Sequence, residues 1–210
     1  MFARVVKGGL VTVDPETGVV QRVIALQYNP ETLTRTMAVQ AAGTDPAQAL
    51  RLKGVAVETL RLEAMIDATD QLAEPDSHPT QVEVGVHPEI AALQALVNPT
   101  VSILNLNQQL AATGVLEVLP AEVPLCLFVW SKERVVPVRV TELSIAEEAF
   151  DTRLNPIRAK ITLAMRVLSV DDLGMAHRGG TIHLAHLENQ ERLAKRAQSA
   201  AISALGLAAI

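Results

Sequence analysis

The chain has 210 residues, of which 49% are hydrophobic and 2% are aromatic, and its formal net charge is −5. The length and the apolar share fit one β-rich domain with a packed core and an appendage. The low aromatic content and the absence of a basic block argue against a nucleic-acid platform and against an aromatic-lined ligand pocket.

The N-terminus and the single cysteine indicate where the protein is made. Met-Phe-Ala-Arg-Val-Val-Lys lacks the apolar segment of a signal peptide, and no apolar run reaches membrane-spanning length. Cys126 has no second cysteine to pair with, and it lies in an apolar run, so we expect a buried, inert thiol. We therefore expect assembly in the cytoplasm without membrane insertion.

The first forty residues predict three strands separated by turns. Asp14-Pro15-Glu16-Thr17-Gly18 has hairpin chemistry, because proline fixes φ and glycine accepts a positive φ. Asn29-Pro30 ends the second strand, since proline has no N–H for the ladder. The predicted strands are Arg4 to Val13, Val19 to Tyr28 and Leu33 to Gln40.

The middle of the chain predicts one strong strand and two helices. Val55 to Ile66 is the strand, with Leu60, Leu62, Ala64 and Ile66 facing inward. Residues 43–54 before it are a predicted loop with a helical turn at Ala47 to Leu50, and Asp67 to Pro79 after it is a predicted polar loop. His87-Pro88 opens a predicted helix over Glu89 to Val97, which ends at Asn98-Pro99. Ser102 caps a second predicted helix that runs to Ala112.

Residues 124–170 predict a meander of three long strands, around which the rest of the chain is organised. The last strand is the clearest: Ile157, Ala159, Ile161, Leu163, Met165 and Val167 alternate with polar residues. The strand before it, Val135 to Phe150, changes phase between Val140 and Leu143. We expect a β-bulge near Thr141-Glu142 to restore the phase. The first strand is Pro124 to Trp130, and its lone tryptophan is expected to pack in the core or at its rim.

The C-terminal part differs in composition. Asp171 to Thr181, with Gly174 and Gly179-Gly180, is a predicted loop. From Ala185 to Leu205 the good helix formers dominate, and these residues predict a helix that docks on its own domain or on a partner. Its predicted apolar stripe is Leu187, Ala194, Ala197, Ala201 and Leu205.

Few residues suggest chemistry, and we expect no catalytic, cofactor or metal site. His177, His183 and His186 lie close in sequence, but a metal centre requires fixed geometry and a second shell, so surface histidines are the favoured interpretation. Glu147-Glu148 and Asp171-Asp172 are adjacent pairs that are favoured as solvated rather than as acid/base pairs. Nucleotide-binding and hydrolase motifs are absent from the sequence. Long strands expose edges that pair with other chains, so a self-associating structural protein is favoured over an enzyme.

Four motifs, in this order, carry a resemblance to a known family. Gln27-Tyr28-Asn29-Pro30-Glu31-Thr32-Leu33 comes first, and Val57 to Asp70, an apolar strand with an Asp-x-Thr-Asp turn, follows. The helix from His87 to Val97 before Asn98-Pro99 and the strand Pro124 to Trp130 complete the set. With them, residues 1–172 resemble the tube-type family of contractile injection systems, the phage-tail-like particles. More narrowly, they resemble the baseplate adaptor between the spike hub and the inner tube.

The resemblance implies a fold and a role. It implies a mainly β protein with short helices: a tube-type antiparallel β-sandwich or barrel with one packed helix and a C-terminal helix. Residues 1–172 would be the tube-like domain, with an insertion at 99–119, and residues 173–210 a linker and helical tail. Many relatives carry a LysM-type module at the C-terminus, and this chain has only the helix.

The implied role is structural. Six copies would form a ring that binds the spike hub, the inner tube protein and other baseplate or sheath proteins, and the ring would start tube assembly. No enzyme activity, cofactor or nucleic-acid partner is expected. The particle would be either released or retained by the cell. Two alternatives are a small-molecule-binding β-barrel and the tube protein itself.

Overall fold

The computed structural model describes residues 5–42, 48–112 and 123–197. Seven antiparallel strands form one sheet in the order β2-β1-β5-β6-β7-β4-β3. The strands are β1 Gly9–Val13, β2 Val20–Ala25, β3 Leu33–Ala38, β4 Val57–Asp67, β5 Leu125–Ser131, β6 Arg134–Phe150 and β7 Pro156–Val167. The expected fold class, mainly β with a few helices, is confirmed.

Six α-helices accompany the sheet in the described part of the chain. They are α1 Thr69–Leu72, α2 Pro79–Val84, α3 His87–Gln94, α4 Val101–Ala112, α5 Val170–Leu173 and α6 Arg178–Ala194, with a 3-10 turn at Pro75–Ser77. The two helices predicted between Glu89 and Ala112 are confirmed as α3 and α4. The predicted cap at Ser102 is wrong, because α4 begins at Val101 and Ser102 lies in its first turn. The rest of the expected insertion, from residue 113, lies outside the described residues, as do the start of the predicted helical turn at Ala47 and the helix residues Ala201 and Leu205.

The bulge predicted in β6 is present. The β6–β7 register passes from Val140↔Met165 to Glu142↔Ala164, so Thr141 has no partner on β7. Because of this extra residue, Val138 and Val140 before the bulge and Leu143 and Ile145 after it belong to the same core. β6 is the central strand of the sheet, with β2, β1 and β5 on one side and β7, β4 and β3 on the other.

The sheet curves until its two sides meet. Just after β2, the Gln27 side chain donates to the Asp67 carbonyl oxygen at 2.7 Å and accepts from the Asp67 N–H at 2.8 Å. Asp67 is the last residue of β4. The Gln27 amide therefore makes the two hydrogen bonds that a neighbouring strand would make, and it joins the β2 side of the sheet to the β4 side. The main core lies inside the curve and includes Leu60, Phe128, Ile161 and Met165, with α3 contributing Ile90 and Leu93.

A second, smaller cluster lies on the other face of β1 and β5. Val13, Leu125 and Leu127 pack there against Leu173 of α5 and Ile182 of α6. The predicted alternation of β4 and β7 is confirmed, because Leu60, Leu62, Ala159, Ile161, Leu163, Met165 and Val167 are all buried.

Several predicted boundaries are wrong. β1 begins at Gly9 and not at Arg4, and β2 ends at Ala25 and not at Tyr28. The hydrogen bond from the Leu26 N–H to the Gly8 carbonyl oxygen is the last backbone contact between these two strands. The predicted polar loop Asp67 to Pro79 contains α1 and the start of α2. Asp67 accepts from the Thr69 N–H and hydroxyl and so turns the chain into α1, whereas Pro79 stands in the first turn of α2.

The C-terminal helix begins earlier than predicted. The loop expected over Asp171 to Thr181 contains α5 and the first turn of α6. Ser169 caps α5 in a capping box with Asp172, a pattern visible in the sequence as Ser-x-x-Asp. His177 caps α6, its Nδ1 accepting from the Gly179 N–H at 3.0 Å.

Candidate functional site

Both outer strands of the sheet have a free side. Among the described residues, β2 pairs with β1 alone and β3 pairs with β4 alone. A free strand edge presents unpaired N–H and C=O groups to any chain that can add a strand. The two edges are therefore the first candidate for a functional surface.

The two edge strands carry exposed apolar side chains. On β2, Val20 is 56% exposed and Val23 is 64% exposed, and only Ile24 packs against the core. On β3, Met37 is 49% exposed, and Val39 just beyond the strand is 69% exposed. Monomeric proteins usually protect such edges with charge, especially lysine.

Charge protects these edges only weakly. Arg35 is the one cation within β3, but its Nε lies 2.6 Å from Glu58 Oε1 on the neighbouring strand, and both side chains are largely buried. On β2 the single charge is Arg22. Exposed apolar side chains thus outnumber unpaired charges along both edges.

Helix α4 is a second apolar surface. None of its residues is buried, and Val101, Leu104 and Leu106 are each more than half exposed. It lies within the insertion expected at residues 99–119.

A cavity of about 500 Å³ lies inside the curve of the sheet. Its walls come mainly from four elements that are distant in sequence, namely β2, β4, β7 and α3. Most of the lining is aliphatic, including Leu10, Ile24, Leu62, Ala64, Ile66, Val86, Leu93, Ile161 and Leu163.

Polar groups also line this cavity. Gln81 Nε2 donates to Glu89 Oε1 at 3.2 Å, but Glu89 Oε2 is buried without a hydrogen-bond partner. Gln71 Oε1 is likewise buried without a partner. Lys7 and Arg22 also line the cavity, and both are exposed, so they mark its solvent side. No pattern in the sequence predicted this arrangement, because it depends on how α1, α2 and α3 sit over the sheet.

Two of the three clustered histidines are buried, which corrects the expectation that they lie on the surface. His183 and His186 are 4% and 7% exposed on the inner face of α6, and each has a buried Nδ1 without a hydrogen-bond partner. His186 Nε2 lies 2.8 Å from Gln190 Nε2. Burial lowers the pKa of both imidazoles below the ordinary value, and the nearby Glu58 carboxylate partly opposes that shift.

The apolar stripe predicted for α6 is also wrong. Ala194 and Ala197 are exposed, whereas the buried face consists of Gly179, Gly180, His183 and His186, with Ile182 beside them. The helix begins seven residues earlier than predicted, so the part that docks on the sheet is its N-terminal half. Asn189, farther along, donates to the Glu133 carbonyl oxygen at 3.1 Å.

The remaining residues singled out by the sequence have structural positions. Glu147 and Glu148 are exposed, and Asp172 is tied to Arg166 at 2.6 Å while it caps α5. Trp130 stacks on Phe128 with ring centroids 5.8 Å apart, at the rim of the core. Burial raises the pKa of the Cys126 thiol to about 12, which agrees with the expected inert thiol.

Within residues 5–42, 48–112 and 123–197, no cluster of three or more histidine, cysteine or acidic side chains is arranged to hold a metal ion. In the same residues no helix is both long enough and apolar enough to cross a membrane.

Comparisons with known proteins give weak similarity. No family model and no curated protein matches the chain. One similar solved structure is the tail of an empty gene transfer agent particle with C6 symmetry: the TM-score is 0.31 and the identity 13%, over 76% of this chain and 90% of that chain. Another is the virion of a native gene transfer agent particle, at a TM-score of 0.30 and 13% identity, over 79% of this chain and 94% of that chain. Similarity at this level does not by itself indicate a function.

Proposed function

We propose that the protein is a non-enzymatic structural component of a contractile injection particle. In this proposal six copies form a baseplate ring that joins the spike hub to the inner tube and starts tube assembly. The order of four sequence motifs, from Gln27–Leu33 to Pro124–Trp130, supports the family. The free apolar edges of the sheet support self-association.

The observation that carries the proposal is that one antiparallel sheet ends on both sides in an apolar strand without a partner in the described chain. If β2 of one copy pairs with β3 of the next, every subunit uses two different surfaces. Such a head-to-tail contact produces a closed ring when the rotation between copies closes. A closed ring leaves no strand edge exposed, as in a barrel.

In this proposal different parts of the chain have different roles. Residues 1–172 form the ring-building unit, and residues 173–210 meet a neighbouring baseplate or sheath component. Helix α4, with its exposed Val101, Leu104 and Leu106, is a further contact with the hub or tube. The ring is assembled in the cytoplasm and becomes part of a particle that the cell releases or retains.

Charge on the edges tests ring formation. Val20→Lys on β2 and Met37→Lys on β3 should each reduce hexamers to monomers in sedimentation velocity and native mass spectrometry, because a buried, unpaired ammonium opposes strand pairing. Met175→Lys is the matched control, since Met175 is 71% exposed between α5 and α6. Hexamers that persist in both edge variants, or a wild-type chain that stays monomeric with its partners present, would contradict edge pairing.

Electron microscopy of particles from the producing cell tests the adaptor role. Deletion of the gene should abolish sheathed tubes or give bare tubes of uncontrolled length, and the wild-type gene should restore normal particles. The Val20→Lys gene should not restore them. Complete particles in the deletion strain would reject the role.

A small-molecule-binding β-barrel is the second candidate, and the interior cavity of about 500 Å³ favours it. The tube protein itself is the remaining alternative. It predicts that the purified chain polymerises into long tubes, whereas an adaptor stops at single rings.

A further inference from the structure

We propose that acid releases helix α6 from the sheet, through protonation of His183 and His186, while the sheet itself stays folded. The inference goes beyond the proposed function and does not depend on ring formation, because it concerns contacts within one chain.

The face by which α6 docks contains few apolar groups. Its buried residues are Gly179, Gly180, His183 and His186, and Ile182 is the α6 residue that packs with the smaller apolar cluster. Among the described residues, the main core contains no side chain from α6. Because two glycines and one isoleucine bury little apolar surface, we expect α6 to open at a lower free energy than the strands of the sheet.

The docked helix offers no acceptor to a second N–H on either imidazole. An imidazolium has two N–H donors. Nδ1 of both histidines is buried without a hydrogen-bond partner among the described residues, and His186 Nε2 lies 2.8 Å from Gln190 Nε2. Protonation therefore leaves at least one N–H of each ring unsatisfied and adds a charge that is removed from water, which is costly. Release of the helix exposes both rings to water and removes that cost.

The charged groups on the sheet do not compensate for this cost. Glu58 of β4 favours a proton on both histidines, but its Oε1 already accepts from Arg35 Nε of β3 at 2.6 Å. Arg35 and Arg134 of β6 are cations that disfavour a proton on His186. Burial is the largest effect, and it holds the pKa of both imidazoles below the ordinary value.

The carboxylates of α5 are also engaged by other groups. Asp171 and Asp172 favour a proton on His183, but Asp171 accepts from the Val55 N–H at 3.1 Å and Asp172 is paired with Arg166 at 2.6 Å.

Two turns of the sheet contact α6 through residues other than the two histidines. In the turn between β1 and β2, the Glu16 carbonyl oxygen accepts from Arg178 at 3.1 Å. In the turn between β5 and β6, the Glu133 carboxylate accepts from Asn189 at 2.8 Å and lies 3.9 Å from Arg192, and Lys132 beside it is exposed.

Release would change the surface of the molecule. Val13, Leu125 and Leu127 are buried on the outer face of β1 and β5, where Ile182 packs against them. Departure of α6 would uncover part of this apolar face, and apolar patches of this kind are typical of contact surfaces.

Hydrogen exchange of the full chain at pH 7.5 and pH 5.5, expressed as protection factors, tests the proposal. Amides from Ile182 to Leu187 should lose about ten- to a hundredfold in protection at the lower pH. Each histidine that takes up its proton only in the released helix contributes up to about tenfold one pH unit below 6.5. Amides of β7 should stay more protected than those of α6 at both pH values, since they open only with the sheet. Equal protection of α6 and β7, or protection of α6 that does not change with pH, would overturn the proposal.

Variants assign the effect to the two rings. His183→Gln with His186→Gln should make the protection of α6 nearly independent of pH, because glutamine does not titrate. Each single variant should retain a fall of at most about tenfold, and the single variants serve if the double variant is poorly folded. His87→Gln is the matched control and should behave as the wild type, since His87 is exposed. A double variant with the wild-type fall in protection would reject the histidines as the cause.

Ile182→Ala separates the strength of docking from titration. The smaller side chain loses contacts with the cluster on β1 and β5, so the protection of α6 should fall at both pH values. The ratio between the two pH values should remain that of the wild type, because both histidines are still present. Unchanged protection of α6 in this variant would show that Ile182 does not hold the helix on the sheet and would contradict the proposed docking.

Discussion

His183 and His186 show how a polar side chain can be part of a docking face. They lie three residues apart on α6, so they share one face of the helix, and that face is turned toward the protein. The groups that act on them come from several elements: Glu58 from β4, Arg35 from β3, Arg134 from β6, and Asp171 and Asp172 at α5. Burial is the largest of these effects and favours the neutral imidazoles.

The lowered pKa values predict a stability that depends on pH. The unfolded chain takes up protons near pH 6.5, whereas the folded chain takes them up only at a lower pH. Stability from neutral imidazoles is therefore complete above about pH 6.5 and is lost as the pH falls through the interval between the unfolded and folded pKa values. Urea unfolding at pH 7.5 and pH 5.5 should show a lower free energy of unfolding at the lower pH.

Glutamine variants identify the source of that loss. His183→Gln with His186→Gln should reduce the difference between the two pH values, because glutamine does not titrate. His87→Gln is the control, since His87 is exposed at the start of α3. A pH difference that is the same in the double variant as in the wild type would contradict the assignment.

At the scale of single elements, the start of α6 depends on a close backbone approach. A Cβ at Gly180 would lie 1.9 Å from the Gly174 carbonyl oxygen, and one at Gly179 would lie 2.5 Å from Leu173 Cδ1. The paired glycines, which by themselves suggest a loop, let α6 lie against α5.

Gly180→Ala tests that close approach. It should lower the free energy of unfolding by about 2 kcal/mol or more, because the backbone of Gly174 must move to admit the methyl group. Gly174→Ala makes no such contact, since nothing lies within 4 Å of its Cβ, but its φ of +79° and ψ of 156° are essentially restricted to glycine, so a backbone cost of about 1–3 kcal/mol is expected there. A Gly180→Ala variant as stable as the wild type in urea unfolding would argue against a close contact at Gly180.

The bulge in β6 makes a second prediction at this scale. Deletion of Thr141 removes the unpaired residue but leaves the pairing of Val140 with Met165 and of Glu142 with Ala164 possible. Leu143 and Ile145 keep their face, so the variant should stay folded and lose only the local bend.

Deletion of Ser144 is the matched comparison. It shifts every later residue of β6 by one position and turns Ile145 away from the core. We expect a loss of about 2 kcal/mol or more relative to the Thr141 deletion, measured by thermal or urea unfolding. A Thr141 deletion that is the more damaging of the two would show that the bend itself maintains the fold.

At the scale of the whole molecule, Gln27 closes the curve of the sheet. Its amide is the link described above between the β2 side and Asp67 at the end of β4, and it lies beside the interior cavity. Gln27→Ala leaves the Asp67 N–H and C=O without these partners and should cost about 1–3 kcal/mol.

Gln27→Glu separates the two hydrogen bonds. The carboxylate can still accept from the Asp67 N–H, but it faces the Asp67 carbonyl oxygen without a proton to donate. It should therefore also destabilise the protein at neutral pH and recover part of the loss when it is protonated at low pH. Hydrogen exchange should show faster opening of β2 in both variants. Unchanged exchange there would mean that the core, not this link, holds β2 in place.

Local patterns determined the sheet by themselves. Period-two alternation places the core positions of β4 and β7, and the phase change between Val140 and Leu143 locates the bulge, because side chains on a strand alternate whatever the rest of the fold does. Proline and asparagine end strands and open helices for equally local reasons. The four motifs that suggest the family are local as well.

Features that form where distant segments of the chain come together could be seen only in the tertiary structure. Two histidines expected on the surface are buried, and two glycines expected in a loop let α6 approach α5. Gln27, expected near the end of a strand, is joined to Asp67, expected in a loop. The cavity has the same origin, since its walls come from β2, β4, β7 and α3. Periodicity reports which side of an element is apolar, but not which other element covers it. Here that packing determines which strands keep a free edge and that Glu89 Oε2 is buried without a hydrogen-bond partner.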